Sequence, residues 1–518
     1  MGVAGAVALN VGIAAVQVLA FRPFLTSDES PHVNYALRLT HGEIPQLGTR
    51  FAPSLPLQGS GTQYVSNHPP LFHIMAGWLI RLGQHFDHSL VGFYLARGLS
   101  AAFGAATVLA VAALTLSLGG RRARERAVTA AAISGVFSPL AISAVTVQND
   151  SLLALCATTA LLATMRILRF GGTVQRWILL AVACTAGMLT KSSMIVVFGA
   201  AVATLAVEPL LRLTRAAWRA RILPLAAVIA CVIAGSGWFY VLNHRRYGDL
   251  LGGSEIYENV SSRPLEPSAS SPLRFVLDPR SWRNLFEQAF AGRTSVRLPD
   301  PSETSWMSEL AAALVVLGAG WAAARALLAT ITARRRRPDP NPGPGNAEGG
   351  HPLGPGDLLP ALLLALALLG AVAEIASHVS HRGSANARYL APAIAAYSIG
   401  VATVLIALPA IARTLAAVLV VALHAVGTVG EGVILIHRLP STLGRSWLGT
   451  YERGLIINGR PGVLAPLLLS VAGASLVALT VALMALGDGP WAARRRQPID
   501  TEADTSAPQE SQHRLEPA

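Results

Sequence analysis

Several charged side chains sit where long apolar runs begin or end, and their types suit one kind of chemistry. Asp28 and Glu29 follow the first apolar run directly, in the stretch Thr26-Ser27-Asp28-Glu29-Ser30-Pro31-His32. Asp150 closes Gln148-Asn149-Asp150, Lys191 closes Leu189-Thr190-Lys191, and Arg388-Tyr389 precede another apolar run. Lys191 is the one lysine among 41 Lys and Arg residues. A carboxylate can take the proton of an attacking hydroxyl if it lies within hydrogen-bond reach. An ammonium offers a phosphate oxygen a compact point charge, and a guanidinium grips two oxygens with its planar fork. Brought to one membrane face, these groups suit a reaction on a lipid phosphate. His68, ahead of Pro69-Pro70-Leu71, and Arg382 add basic groups on the same face.

Each residue also has a structural alternative. Ser27 or Asp28 can be the N-cap of a short helix over Ser30 to Gly42 with Val33, Leu37 and Leu39 on its apolar side, and Asp150 can cap the run that follows it. Lys191 can snorkel to the interface. His68 can satisfy a turn before two prolines. Glu374 and Glu431 fall inside apolar runs, where an acid costs about 2.5 to 3.5 kcal/mol. They either mark a proton path or face the bundle interior, protonated or paired.

The elements that must position these groups follow from composition. The 518 residues are 52% hydrophobic and 13% charged, with mean hydropathy +0.48, the profile of a polytopic membrane protein. A run of about 20 apolar residues crosses the hydrocarbon core at about 1.5 Å per residue. About twelve crossings fit: 3–21, 93–118, 127–147, 151–168, one reaching Leu189, 196–207, 222–242, 310–330, 358–377, 389–408, 414–436 and 463–486. The piece Leu71 to Leu82 is too short to cross and starts at a double proline, so it reads as an interfacial helix, as does Ser281 to Phe290 with Trp282, Leu285, Phe286 and Ala289 at helical spacing.

Net charge is +13, but the arginines lie in short clusters between apolar runs. That is the pattern of cytoplasmic loops rather than of nucleic-acid binding. It places residues 22–90, 243–305 and 437–460 outside and both termini in the cytoplasm. The fold class is therefore an all-α transmembrane bundle over residues 1–487, with a flexible cytoplasmic linker at 338–356 and a disordered tail at 488–518. The three cysteines, Cys156, Cys184 and Cys231, fall inside apolar runs and form no disulfide framework or metal spacing.

The ordered set Asp28-Glu29, His68-Pro69-Pro70-Leu71, Gln148-Asn149-Asp150, Leu189-Thr190-Lys191, Tyr247-Gly248-Asp249 and Arg388-Tyr389-Leu390 resembles the GT-C superfamily of membrane glycosyltransferases, in its protein O-mannosyltransferase and aminoarabinose transferase branch. The resemblance implies transfer of a sugar, with inversion, from a polyprenyl-phosphate donor to an envelope acceptor on the outer face of the cell membrane. It assigns Asp28 as base with Glu29 positioning, and Lys191, Arg388, His68 and Tyr389 to the donor phosphate, with Asp150 and Arg382 near the substrate. Some relatives use a divalent metal, for which Asp28 and Asp150 are the candidate pair, and others use none. Ser30-Pro31-His32 departs from the Arg-Tyr pattern of aminoarabinose transferases, which argues against the same sugar.

A secondary transporter or flippase is the main alternative, because about twelve spans with both termini inside also suit a carrier. Carriers place polar sites near the midplane on broken helices, whereas the charges here gather at outer ends. A noncatalytic scaffold or a polymerase of lipid-linked glycans is a third reading.

Overall fold

The computed structural model describes residues 2–26, 28–51, 61–120, 122–212, 215–256, 271–291, 309–321, 323–324, 355–380, 386–437, 441 and 445–486. Helix α1, Gly2–Ala20, is uncharged and apolar enough to cross a bilayer. Among the described residues seven more helical segments meet the same criterion: Ser89–Leu118 (α4), Asp150–Phe170 (α7), Trp218–Tyr247 within α10, Leu358–Ser380 within α15, Ala387–Ala407, Ala410–His437 (α17) and Leu464–Leu486 (α19). The chain is a multi-pass membrane protein. Three shorter apolar helices, Val174–Met188 (α8), Met194–Pro209 within α9 and Glu309–Trp321 (α14), lie where the fifth, sixth and eighth crossings are expected.

The run expected as one straight crossing over 127–147 is instead two helices, Ala123–Gly135 (α5) and Ser138–Ala144 (α6), bent by 59°. Pro139 at the start of α6 cannot donate to the preceding turn, which breaks the ladder. Backbone groups freed inside an apolar bundle need other partners. Asn10 Nδ2 donates to the Gly135 carbonyl at 2.7 Å, and Thr428 Oγ1 to the Val136 carbonyl at 2.8 Å. Ser138 hydrogen-bonds buried Glu431, so Glu431 faces the bundle interior and is part of this break.

Between α1 and α4 the chain builds a small helical subassembly. Helix α2, Glu29–Thr40, buries Val33 and Leu37, with Leu39 half-buried. Helix α3, Leu71–His85, buries Phe72, Ala76 and Ile80 against α2 and α4 and leaves Ile74, Met75, Trp78 and Leu82 exposed. An apolar outer face on a 15-residue helix suits a position at the membrane surface. The helices touch closely at Gly77, where a Cβ would fall 2.3 Å from the Ala36 carbonyl oxygen. Gly77→Ala is expected to push α3 off α2 and to cost about 1 to 3 kcal/mol. Thermal unfolding in detergent checks this, and an unchanged melting temperature would contradict the contact.

Further along come a one-turn helix α11 at Gly253–Glu255, α12 at Pro272–Leu277 and the amphipathic α13 at Pro279–Ala291. A 3-10 turn, Ala387–Ala393, precedes α16, Ile394–Ala407. Helix α18, Trp447–Ile457, lies inside the expected third outer loop. Residues 338–354, the arginine tract Arg334 to Arg337, Arg382 and the tail 488–518 lie outside the described residues.

Candidate active site

Asp28 occupies the N-cap position of α2, yet its carboxylate makes no capping bond. It pairs instead with the Arg388 guanidinium, 360 residues away in sequence, and accepts the Tyr64 hydroxyl at 2.8 Å. The capping alternative is thereby displaced by a long-range ion pair. The same holds at α7. Asp150 opens that helix, but its carboxylate takes the Lys191 ammonium at 2.6 Å.

Lys191 sits on the turn between α8 and α9. Its Nζ lies 5.3 Å from the centre of the Tyr389 ring, and Arg388 Cζ lies 5.6 Å from the same ring, close enough for both cations to feel the ring's negative face. Tyr389 Oη shares a 3.2 Å hydrogen bond with His378 Nε2. Asp28, Lys191, Arg388, Tyr389 and Asp150, expected from four separate stretches, therefore meet in one cluster. Arg388 Nε is buried and has no acceptor, so the guanidinium keeps a donor available.

Glu29 has a different environment from its neighbour. It is fully buried in a two-pronged pair with Arg97 of α4, at 2.8 Å to Nε and 2.7 Å to Nη2, and it also accepts the amides of Phe24 and Val147 at 3.0 Å. Arg97 donates further to the carbonyls of Phe21 at 2.6 Å, Arg22 at 3.0 Å and Val18 at 3.2 Å. With every oxygen engaged, Glu29 is not available for proton transfer. It fixes the end of α1, the start of α2 and the entry to α7 relative to one another. Glu29, expected in a positioning role beside Asp28, is held in this buried clamp.

The electrostatics at Asp28 have opposing parts. Burial pushes its carboxyl up, but Arg388, Tyr64 and Lys191 together outweigh that and hold it below the usual carboxylate value. His68 stacks on His32 with ring centres 6.3 Å apart, and His32 Nδ1 shares a 2.8 Å hydrogen bond with His73 Nε2. Burial, with Lys191 nearby, keeps His68 well below the ordinary imidazole value, and burial brings His73 down to about 3. The same burial favours the neutral form of the His68 imidazole.

Sequence reasoning did not single out Tyr64, His378, His32, His73 or Arg97. A lone arginine inside an otherwise apolar run was the signal for Arg97. The others lie in loops or helix ends where tyrosine and histidine are unremarkable. Arg382 is outside the described residues. Asp28 and Asp150, the pair that could hold a divalent metal, are each engaged by a cation, and among the described residues no three His, Cys, Asp or Glu side chains are grouped to hold a metal ion.

The carboxylates and cations of this cluster are gathered from distant segments of a helical bundle. Residues 67–238, one third of the chain, match the family model of dolichyl-phosphate-mannose-protein mannosyltransferases. Over those residues the chain is similar to that family of mannosyltransferases. Among solved structures it is similar to ArnT from Cupriavidus metallidurans bound to undecaprenyl phosphate, at 14% identity over 92% of this chain and 75% of that one, with a TM-score of 0.45. It is also similar to the Archaeoglobus fulgidus oligosaccharyltransferase in the apo form, at 15% identity over 96% of this chain and 58% of that one, with a TM-score of 0.41. No curated protein sequence matches it.

Proposed function

We propose that this protein transfers a sugar, with inversion, from a polyprenyl-phosphate donor to a hydroxyl of an envelope acceptor on the outer face of the cell membrane, with both termini in the cytoplasm. The observation that carries the reading is the meeting of Asp28 with Arg388, beside Lys191 over the shared Tyr389 ring. The position of the arginine clusters supports the orientation.

The acceptor hydroxyl gives its proton to Asp28 as its oxygen bonds the anomeric carbon from the face opposite the phosphate. The bond from that carbon to the phosphate oxygen breaks, and its electron pair leaves with the polyprenyl phosphate. Lys191 and Arg388 stabilise the growing charge, and cations already fixed in place do this best. One displacement inverts the anomeric centre. Because each cation is paired with a carboxylate beforehand, the donor phosphate must draw Arg388 away from Asp28. That exchange leaves the carboxylate a stronger base once the donor is bound, which favours donor binding before acceptor.

The pH profile carries the sign of this arrangement. Asp28 must be deprotonated to act, so activity falls as pH drops through its pKa. Tyr64 helps to hold that pKa down. Tyr64→Phe is expected to move the acid limb of kcat/KM to higher pH, and an acid limb that stays in place or moves down would count against Asp28 as the base.

The direct test is incubation of the purified protein in lipid nanodiscs with labelled polyprenyl-phosphate sugars and cell-envelope acceptors, with the anomeric configuration of the product read by NMR. An inverted glycoside is expected. Uptake of the labelled substrate into sealed vesicles without glycosidic product would point to a carrier instead.

A further inference from the structure

Glu374 lies within α15, Pro355–Ser380, an apolar helix in which an acid is expensive. One of its oxygens takes the hydroxyl of Ser193, two residues beyond Lys191 on the same turn. The other, Oε2, is buried with no hydrogen-bond partner. Buried polar atoms nearly always have a partner, so an unfilled acceptor calls for a donor that arrives from elsewhere. The carboxyl is within electrostatic reach of Lys191 and Asp150. His378 is one turn further along α15, on the same helix face, and its ring lies 4.8 Å from that of Tyr389, the ring both cations approach. Glu374 and His378 therefore flank the phosphate-binding cations from the α15 side, while Asp28 reaches them from the start of α2.

A sugar linked directly to a phosphate held by Lys191 and Arg388 lies within one ring's width of those cations. We propose that Glu374, braced by Ser193, is the specificity-determining residue that accepts hydrogen bonds from the hydroxyls of the donor sugar. This rests on the glycosyl-transfer reading above.

The test uses the full-length protein in nanodiscs, with a polyprenyl-phosphate hexose, its single-deoxy analogues and sugar-free polyprenyl phosphate. Glu374→Gln is expected to lower kcat/KM for the intact hexose about 10- to 100-fold, the effect of losing a hydrogen bond to a charged group. Against the analogue lacking the recognised hydroxyl, wild type and variant should come within a few-fold of each other, since the partner is then missing from both. Binding of sugar-free polyprenyl phosphate should not change. Ser193→Ala should reproduce the donor-selective loss in weaker form, so the question is still answered if the Glu374 variant does not fold. Equal losses for every donor or weakened binding of the sugar-free lipid would overturn the assignment. Absence of transfer by the wild type from any donor would instead remove the glycosyl-transfer reading, and this assignment with it.

Discussion

Asp28→Asn is expected to slow sugar transfer by about 10²- to 10⁴-fold, the range that a positioned general base contributes, in a protein that still folds and inserts. The amide keeps the size of the carboxylate and can still accept the Tyr64 hydroxyl, but it cannot take a proton. It also releases Arg388 from its tethered partner, so donor binding should be as tight as in the wild type or tighter. The combination is informative. A fall in kcat without a rise in donor KM identifies a group that acts in the transition state and not in ground-state binding. Single-turnover transfer measured beside polyprenyl-phosphate binding separates the two. A variant that transfers at the wild-type rate would remove Asp28 from the mechanism.

The second large effect concerns stability. Arg97 and Glu29 are both fully buried, and their two-pronged pair is surrounded by five further bonds to backbone groups. Arg97→Ala leaves the Glu29 carboxylate in the bundle without its cation and frees three carbonyls. Breaking a buried pair in this way costs about 3 to 5 kcal/mol, a large part of the stability of an ordinary domain. The variant is expected to be recovered in low yield and to unfold well below the wild type. Lysine cannot replace the fork, since it lacks the planar set of donors that reaches both oxygens and the backbone. Replacing both partners with methionine should recover part of the loss, because no charge then remains buried. An Arg97→Ala protein with wild-type yield and melting temperature would show that the clamp is dispensable.

Much of the membrane architecture was legible because the apolar runs are long and their ends carry charge, and hydrophobic length is the main determinant of a span. Hydropathy does not register bends, so the break between α5 and α6 was missed although Pro139 lies within the run. The gathering of Asp28, Asp150, Lys191, Arg388 and Tyr389 was foreseen from their places at the ends of runs. Their pairing was not, because side-chain partners 360 residues apart depend on packing that no local pattern encodes. Adjacent residues also proved a poor guide to shared roles. Asp28 and Glu29 are neighbours in sequence, but the first turn of α2 sends one carboxylate to the Arg388 cluster and the other into the apolar bundle. Glu374 was left between a proton path and a paired place in the bundle interior, and its contact with Ser193, two residues beyond Lys191, is a pairing of the second kind.

The turn that carries Lys191 is tied down from several directions. Leu71 N donates to the Leu189 carbonyl at 2.9 Å, Asn149 Nδ2 to that of Thr190 at 3.0 Å and Tyr240 Oη to that of Met188 at 2.8 Å. In the segment of Arg388 the Asn386 side chain accepts its amide at 3.0 Å, Gln288 of α13 accepts the Ala387 amide at 2.8 Å, and Tyr389 Oη shares a hydrogen bond with His378 of α15. Both cations thus ride on backbone moored to more than one neighbouring helix, so that severing one tether leaves either charge held by the others.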